Sequence, residues 1–183
     1  MDSVENKILS SPEKPEFLYH ASPHSDMDVL EPRAKRIRDL DEGPVIFATS
    51  SFSLATMFIV RSDGSWGDLK GRFNAFYMVI GDKKHFLKAD KGGVIYTLPN
   101  DKFYCDLKKG MGKYEWVSKK SVKPIKKQSF KSGLEAMIDN SIQVYFVDKP
   151  IFQEIEKSQD HGYTILQSIQ SENQKRDKNV LSI

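Results

Sequence analysis

Cysteine is nearly absent from this chain, since Cys105 is the single cysteine among 183 residues. One cysteine cannot form an intrachain disulfide, and it cannot supply the group of thiolates that holds a structural zinc ion. The composition therefore fits a reducing compartment, and we expect a cytoplasmic protein. Cys105 lies in a Phe-Tyr-Cys-Asp run with no histidine nearby. We expect it to be a half-buried packing residue rather than a nucleophile.

The chain also lacks a long hydrophobic run. Its longest apolar stretch, residues 54–60, is far shorter than the roughly 20 residues that a membrane-spanning helix needs. Residues 1–11 are polar and carry charges of both signs, unlike a signal peptide. We therefore expect no membrane span, no membrane partner and no signal peptide.

His24, Asp26 and Asp28 do not have the spacing of a metal site, so no metal is predicted.

Length and composition favour one domain, because 39% of the residues are hydrophobic and single domains commonly hold about 100–200 residues. Residues 1–15 mix Ser, Glu, Lys and Pro without periodicity, which predicts a flexible arm. Residues 171–183 are polar and predict a flexible tail. A single domain is expected over residues 16–170.

Short runs of aromatic and β-branched residues predict a chain that is mainly β. Helical spacing of apolar residues appears in four short segments, two of them preceded by serines that can cap a helix. Strands broken by short helices, rather than regular βαβ units, indicate an α+β fold. Strands are expected near residues 17–22, 45–50, 73–80, 94–98, 115–118 and 142–147, more weakly over 122–130, and helices over 51–60, after Ser132, from Pro150 and over 163–169. Residues 64–67 are expected to form a mobile loop whose Trp66 either packs in the core or stacks on a ligand, with packing favoured.

Lysine is concentrated in one part of the chain. Nine lysines and one acidic residue, Glu115, lie between Lys108 and Lys131, although the formal net charge of the whole chain is only +3. This concentration favours phosphate-bearing ligands, including nucleic acid. An equally weighted alternative is an edge strand whose lysines prevent pairing with another sheet. The lysines expected to contact a phosphate-bearing acceptor are Lys108, Lys109, Lys113, Lys119, Lys120 and Lys123. A second basic cluster, Arg33, Lys35, Arg36 and Arg38, is more simply interpreted as a solvated loop.

Three separated segments place polar groups at the ends of predicted strands. The first is Tyr19-His20-Ala21-Ser22, and the second is Ile46-Phe47-Ala48, which leads into a helical segment containing Ala55. The third is Glu115-Trp116-Val117, followed by Val122-Lys123-Pro124. A lone histidine after an apolar run is usually structural, and a lone glutamate on a strand usually faces solvent. The order of the three segments therefore carries more information than any one of them.

That order resembles the ADP-ribosyltransferase superfamily, in particular the branch with the poly-ADP-ribose polymerases and the RNA 2′-phosphotransferases. The family has glycine where this chain has Ala21, and a stacking tyrosine where this chain has Ile46. Phe47 or Tyr77 would then have to supply an aromatic ring. A rival alignment places residues 140–145 on the last strand and puts Ser141 in the position of the glutamate.

The resemblance implies a two-sheet, mainly antiparallel β core with short helices, with NAD as the substrate in a cleft between the sheets. It implies that Glu115 is the catalytic carboxylate that stabilises the ribosyl cation and that His20 anchors NAD through a ribose. Ala21 and Ser22 would hold the nicotinamide amide, and Ile46 and Phe47 would line the same site. The expected activity is transfer of ADP-ribose to a nucleic acid, a protein or a small molecule. The alternative is an inactive module of the same fold that binds RNA or another phosphate-bearing ligand through its lysines.

Overall fold

Eight strands in two sheets and five helices make up the part of the chain that the computed structural model describes, residues 12–33, 37, 39–62, 64–72 and 75–173. The strands are β1 (Phe17–Ser22), β2 (Ile46–Thr49), β3 (Gly67–Arg72), β4 (Ala75–Ile80), β5 (Gly93–Pro99), β6 (Glu115–Ser118), β7 (Lys126–Phe130) and β8 (Gln143–Phe146). The helices are α1 (Phe52–Thr56), α2 (Lys83–Ala89), α3 (Gly133–Asp139), α4 (Lys149–Lys157) and α5 (Tyr163–Asn173), and a 3₁₀ turn, Gly112–Tyr114, precedes β6.

The larger sheet has the strand order β6-β2-β1-β5-β7 and is antiparallel throughout. The smaller sheet has the order β3-β4-β8, in which β4 and β8 are parallel. The expected α+β class with two mainly antiparallel sheets is confirmed.

Alternating side chains give the five-stranded sheet two different faces. One face carries Leu18, Tyr96 and Trp116, which pack under long loops through Leu30 and Val122. We call it the outer face.

The other side of that sheet is the inner face. It carries Ala21 and Ile95, which pack against Ala55 of α1 and Ala136 of α3. These small helical residues let the helices approach the sheet closely, so α1 and α3 form a layer directly on it.

The three-stranded sheet lies on the far side of α1 and α3. Its Met78 and Phe146 side chains pack with Leu54 of α1 and Met137 of α3. Its opposite face packs Val79 and Tyr145 against α4 and α5, through residues such as Ile155 and Leu166. The molecule is therefore built of four layers: sheet, helices, sheet, helices.

Short polar side chains set the starts of the helices. Ser51 accepts a hydrogen bond from the backbone of Leu54, and Ser132 accepts one from the backbone of Glu135, both at 3.2 Å. Asp82 and Asp148 cap α2 and α4 in the same way. The predicted helices after Ser51 and Ser132 and from Pro150 are confirmed, although α1 ends at Thr56 rather than Val60.

Four sequence predictions need correction. Helix α2 has no counterpart among the predicted helices, because Gly81-Asp82 is a pattern typical of a turn, whereas Asp82 here caps the helix. Gly67 begins β3 instead of ending a loop, and Trp66 before it is buried, as expected. The weak strand over 122–130 begins only at Lys126, while Val122 forms an isolated bridge with Leu30. Helix α5 continues to Asn173, into the predicted tail. The remaining tail residues 174–183, arm residues 1–11, Lys35, Arg36, Arg38 and residues 73–74 lie outside the described residues.

Candidate functional site

The five-stranded sheet opens next to its central strand. β1 pairs with β5 along its whole length, but its register with β2 contains one pair, Tyr19 with Thr49. β2 is instead paired along its whole length with β6. A continued register would place Ala21 opposite Phe47. The two strands therefore separate beyond Tyr19, and the first two predicted motifs face each other across this opening.

His20 bridges the opening with its side chain. Its Nδ1 lies 2.7 Å from the carbonyl oxygen of Phe47. A carbonyl can only accept a hydrogen bond, so Nδ1 carries the proton and donates it. Burial lowers the pKa of His20, the bond to Phe47 opposes this effect, and the charge of Arg33 lowers the pKa further. The neutral imidazole therefore keeps Nε2 as an acceptor.

The surroundings of His20 on the outer face are aromatic and cationic. The ring of Tyr96 lies 6.5 Å from the imidazole, and its hydroxyl donates to the carbonyl of His24 at 2.7 Å. Lys127 of β7 stands 5.7 Å from the centre of the Tyr96 ring. Tyr96 is 0% exposed, so its ring packs beside His20 within the core of the outer face and offers no open surface.

Tyr96 and Lys127 were missed as candidate site residues. They lie on β5 and β7, far from His20 in the sequence, and only the strand register brings them beside it. Nothing in their local sequence marks them, so pattern analysis had no means of finding them.

Two of the other residues expected to hold the cofactor have structural roles. Ser22 is buried, and its hydroxyl accepts a hydrogen bond from the backbone of His24 at 3.2 Å. Ile46 is 3% exposed and belongs to the hydrophobic cluster on the outer face of the larger sheet, which we call the outer core. Ile46 therefore offers no open surface for a stacked ring. Ala21 packs on α1 and α3, while its backbone lines the opening.

The two rings proposed to replace a stacking tyrosine differ in position. Phe47 is half-buried beside the opening, on the strand that His20 contacts. Tyr77 lies in the three-stranded sheet, where it is 5% exposed and donates from its hydroxyl to the carbonyl of His161. The suggestion that Tyr77 supplies the ring is therefore wrong, and Phe47 stays the candidate.

Glu115 begins β6 and lies next to β2. It is half-buried and directly opposite Thr49, which is itself opposite Tyr19. Opposed residues point to the same side of a sheet. Glu115 therefore shares the inner face with Tyr19 and Thr49, whereas His20 occupies the outer face.

The two predicted catalytic residues thus lie on opposite faces of the larger sheet, and Glu115 is level with the paired residues Tyr19 and Thr49 rather than with the opening. Two strand spacings of about 4.8 Å each separate their backbones. The expectation of a cleft between the two sheets is wrong in this respect, because α1 and α3 fill that space. The structure therefore does not bring His20 and Glu115 together in one cleft.

The rival assignment of Ser141 to the glutamate position does not fit the topology. Ser141 precedes β8, which belongs to the three-stranded sheet. β6 is the strand that lies next to β2, and Glu115 is its first residue.

The lysine-rich segment divides into two regions. Lys109 forms an ion pair with Asp39, and Lys113 lies 5.1 Å from the ring centre of Tyr114. Lys126 and Lys127 lie on β7, which is an edge strand of the sheet, as the alternative interpretation expected.

Cys105 is half-buried, and burial together with nearby Asp106 and Glu115 raises the pKa of its thiol, so an activated nucleophile is not formed there.

Comparisons with known proteins give no further assignment. No family model matches the sequence, and searches of curated proteins and of solved structures found no match. Within the described ranges, no three His, Cys, Asp or Glu side chains are grouped so as to hold a metal ion. Among the helices of those ranges, none has the length and apolar character needed to cross a membrane.

Proposed function

We propose that this protein binds NAD at the opening between β1 and β2 and transfers its ADP-ribose to an acceptor. The observation that carries the proposal is the His20 contact with Phe47, which fixes Nδ1 as a donor and leaves Nε2 to accept a hydrogen bond. A ribose hydroxyl is the expected donor to that nitrogen. The nearby charge of Arg33 suits the diphosphate.

The proposal requires the dinucleotide to contact both faces of the larger sheet. Its adenosine half would lie on the outer face with His20, and its nicotinamide half would lie towards the inner face with Glu115. Ala21 and Phe47 would be beside the nicotinamide, because they border the opening.

Glu115 would act on the bond between nicotinamide and ribose. When this bond breaks, nicotinamide leaves with the electron pair and positive charge develops on the ribose. A carboxylate close to the sugar stabilises that charge, as in glycoside hydrolysis. The acceptor then forms the new bond to the same carbon and loses its proton.

The catalytic part of the proposal is tested by nicotinamide release from NAD. Glu115→Gln keeps the shape of the side chain but removes its charge, so we expect release to fall by about 100-fold or more. Glu135→Gln, an exposed substitution on α3, serves as the matched control and leaves release unchanged. Equal rates for the wild type and Glu115→Gln would exclude Glu115 as the catalytic carboxylate.

The binding part is tested by calorimetry with NAD. His20→Ala removes one hydrogen bond to the ligand, worth about 1 kcal/mol, so affinity should fall roughly five-fold. His20→Asn keeps a side-chain donor for Phe47 and separates folding from binding. Unchanged affinity in both variants, with a large loss of thermal stability, would identify His20 as a core residue.

A second candidate is a module of the same architecture that binds a phosphate-bearing ligand without turnover. The burial of Ile46 favours it, because the stacking position is filled by a core residue. NAD binding without any nicotinamide release, in the wild type and in Glu115→Gln alike, would support this candidate over the enzyme.

A further inference from the structure

Five lysines lie around one loop of the outer side. This loop, residues 119–125, crosses over the outer core between β6 and β7. Its Val122 is buried and exchanges two backbone hydrogen bonds with Leu30, at 2.8 and 2.9 Å. We call the surface formed by these side chains the lysine face: Lys102, Lys119, Lys120, Lys123 and Lys127.

Contacts with neighbouring residues place two of the five lysines beside this loop. Lys102 donates from Nζ to the carbonyl of Ser121 at 2.8 Å. Lys127 pairs with Asp28 at 3.0 Å, and this bond, with a smaller effect of Lys123, lowers the pKa of the Asp28 carboxyl. Lys119, Lys120 and Lys123 belong to the loop itself, and Lys102 and Lys127 lie beside it.

The positive charge of this surface is largely uncompensated. The carboxylates that contact it are Asp28, paired with Lys127, and Glu31, which accepts from the Ser121 hydroxyl. Lys119, Lys120 and Lys123 are exposed, and across the described ranges none of them forms an ion pair with an acidic side chain.

The residue type narrows the class of ligand. Protein interfaces are depleted in lysine and enriched in arginine, whose planar group fits carboxylates in a fork. Lysine serves as a point charge, which is what neutralising a phosphate backbone requires. Lys127 also connects the lysine face to Tyr96 and so to His20.

We propose that the lysine face binds the phosphate backbone of a polynucleotide. Its role as the place where the acceptor lies rests on the proposed function, so a polynucleotide would be the acceptor class of the transfer. The binding itself does not depend on NAD.

Fluorescence anisotropy with a short labelled single-stranded RNA tests the binding over a range of salt concentrations. Each neutralised phosphate contributes about 0.7 to the salt slope, so five lysines predict a slope of about 3 to 4. The combined variant Lys119→Gln, Lys120→Gln and Lys123→Gln should reduce that slope by about 2 and weaken binding. All three side chains are exposed, so the melting temperature of the variant should equal that of the wild type. This measurement shows that the variant is folded.

A matched control removes the same charge elsewhere. Lys83, Lys149 and Lys157 line a cavity of about 800 Å³ between the start of α2 and α4. Changing these three to Gln should leave the salt slope as in the wild type. NAD calorimetry on the first triple variant should give wild-type affinity, which separates this proposal from the preceding one.

Three results would overturn the proposal. They are no RNA binding by the wild type at low salt, an equal loss in both triple variants, and tighter binding of polyglutamate or anionic lipid vesicles than of RNA.

Discussion

At the scale of single residues, His20 combines burial with an ordered tautomer. Its Nδ1–H donates a hydrogen bond to a backbone carbonyl. Its pKa is held below the ordinary value of 6.5 mainly by burial. A lone histidine after an apolar run was expected to be structural unless its neighbours indicated otherwise. Its hydrogen bond to Phe47 across the opening gives it a structural role. Its Nε2 is the atom that would accept a hydrogen bond from NAD in the proposed function.

The lowered pKa of His20 predicts how stability depends on pH. Between the folded pKa and the unfolded value of 6.5, the unfolded state binds more protons, so stability falls as pH decreases through this range. We expect the melting temperature to drop as the pH falls through about 6.5 and to continue dropping down to the lowered pKa of the folded state. In His20→Asn, which does not titrate there, this dependence should be weaker. Identical pH profiles for the two proteins would show that His20 is not responsible.

At the scale of elements, the turn before β5 packs closely against the end of β7. Gly92 precedes β5 with a φ of +69°, and a Cβ atom at this position would lie 2.2 Å from the carbonyl oxygen of Phe130. Glycine is needed there for both backbone conformation and space. The close approach holds the start of β5 against the end of β7.

Gly92→Ala should therefore cost about 3 kcal/mol or more of unfolding free energy, since strain of about 1–3 kcal/mol adds to the collision. Gly64→Ala provides the comparison, because Gly64 also has a positive φ, +82°, but has nothing within 4 Å of its Cβ position. That change should cost only about 1 kcal/mol. Urea unfolding measures both, and equal costs would contradict the close-packing argument.

At the scale of the whole molecule, one helix layer joins the two sheets. Leu54 of α1 is fully buried against the three-stranded sheet, and Ala55, the next residue, is fully buried against the five-stranded sheet. Both sheets pack on the same two helices, so loss of one sheet would also destabilise the helices on which the other sheet packs. The two sheets should therefore unfold together.

The two tryptophans of the chain report the two sides separately. Trp116 belongs to the outer core and Trp66 to the core of the three-stranded sheet. In Trp116→Phe and Trp66→Phe, the remaining tryptophan should give the unfolding midpoint for its own side. Adding Leu54→Ala should destabilise both proteins by about 2–5 kcal/mol, with equal shifts of the two midpoints. A shift confined to the Trp66 signal would show that the sheets unfold independently.

Local patterns predicted much of the fold because their causes are local. Serine caps and Pro150 predicted three helix starts, since caps and proline act within one turn; of the two candidate caps of α1, Ser50 and Ser51, the structure uses Ser51. Strand β3 was missed because its sequence, Gly-Asp-Leu-Lys-Gly-Arg, has low strand propensity. Its pairing with β4, including the buried Lys70 held by Asp68 and Glu156, overrides that propensity.

The sequence by itself determined the α+β class, most strand and helix positions, and the candidate residues His20 and Glu115. Tertiary structure alone decided that the larger sheet opens between β1 and β2 and that these two residues lie on opposite faces of it. It also decided that Tyr96 and Lys127 join His20. The physical reason is that alternation shows that a strand has two faces, whereas strand order and register come from pairing between distant segments.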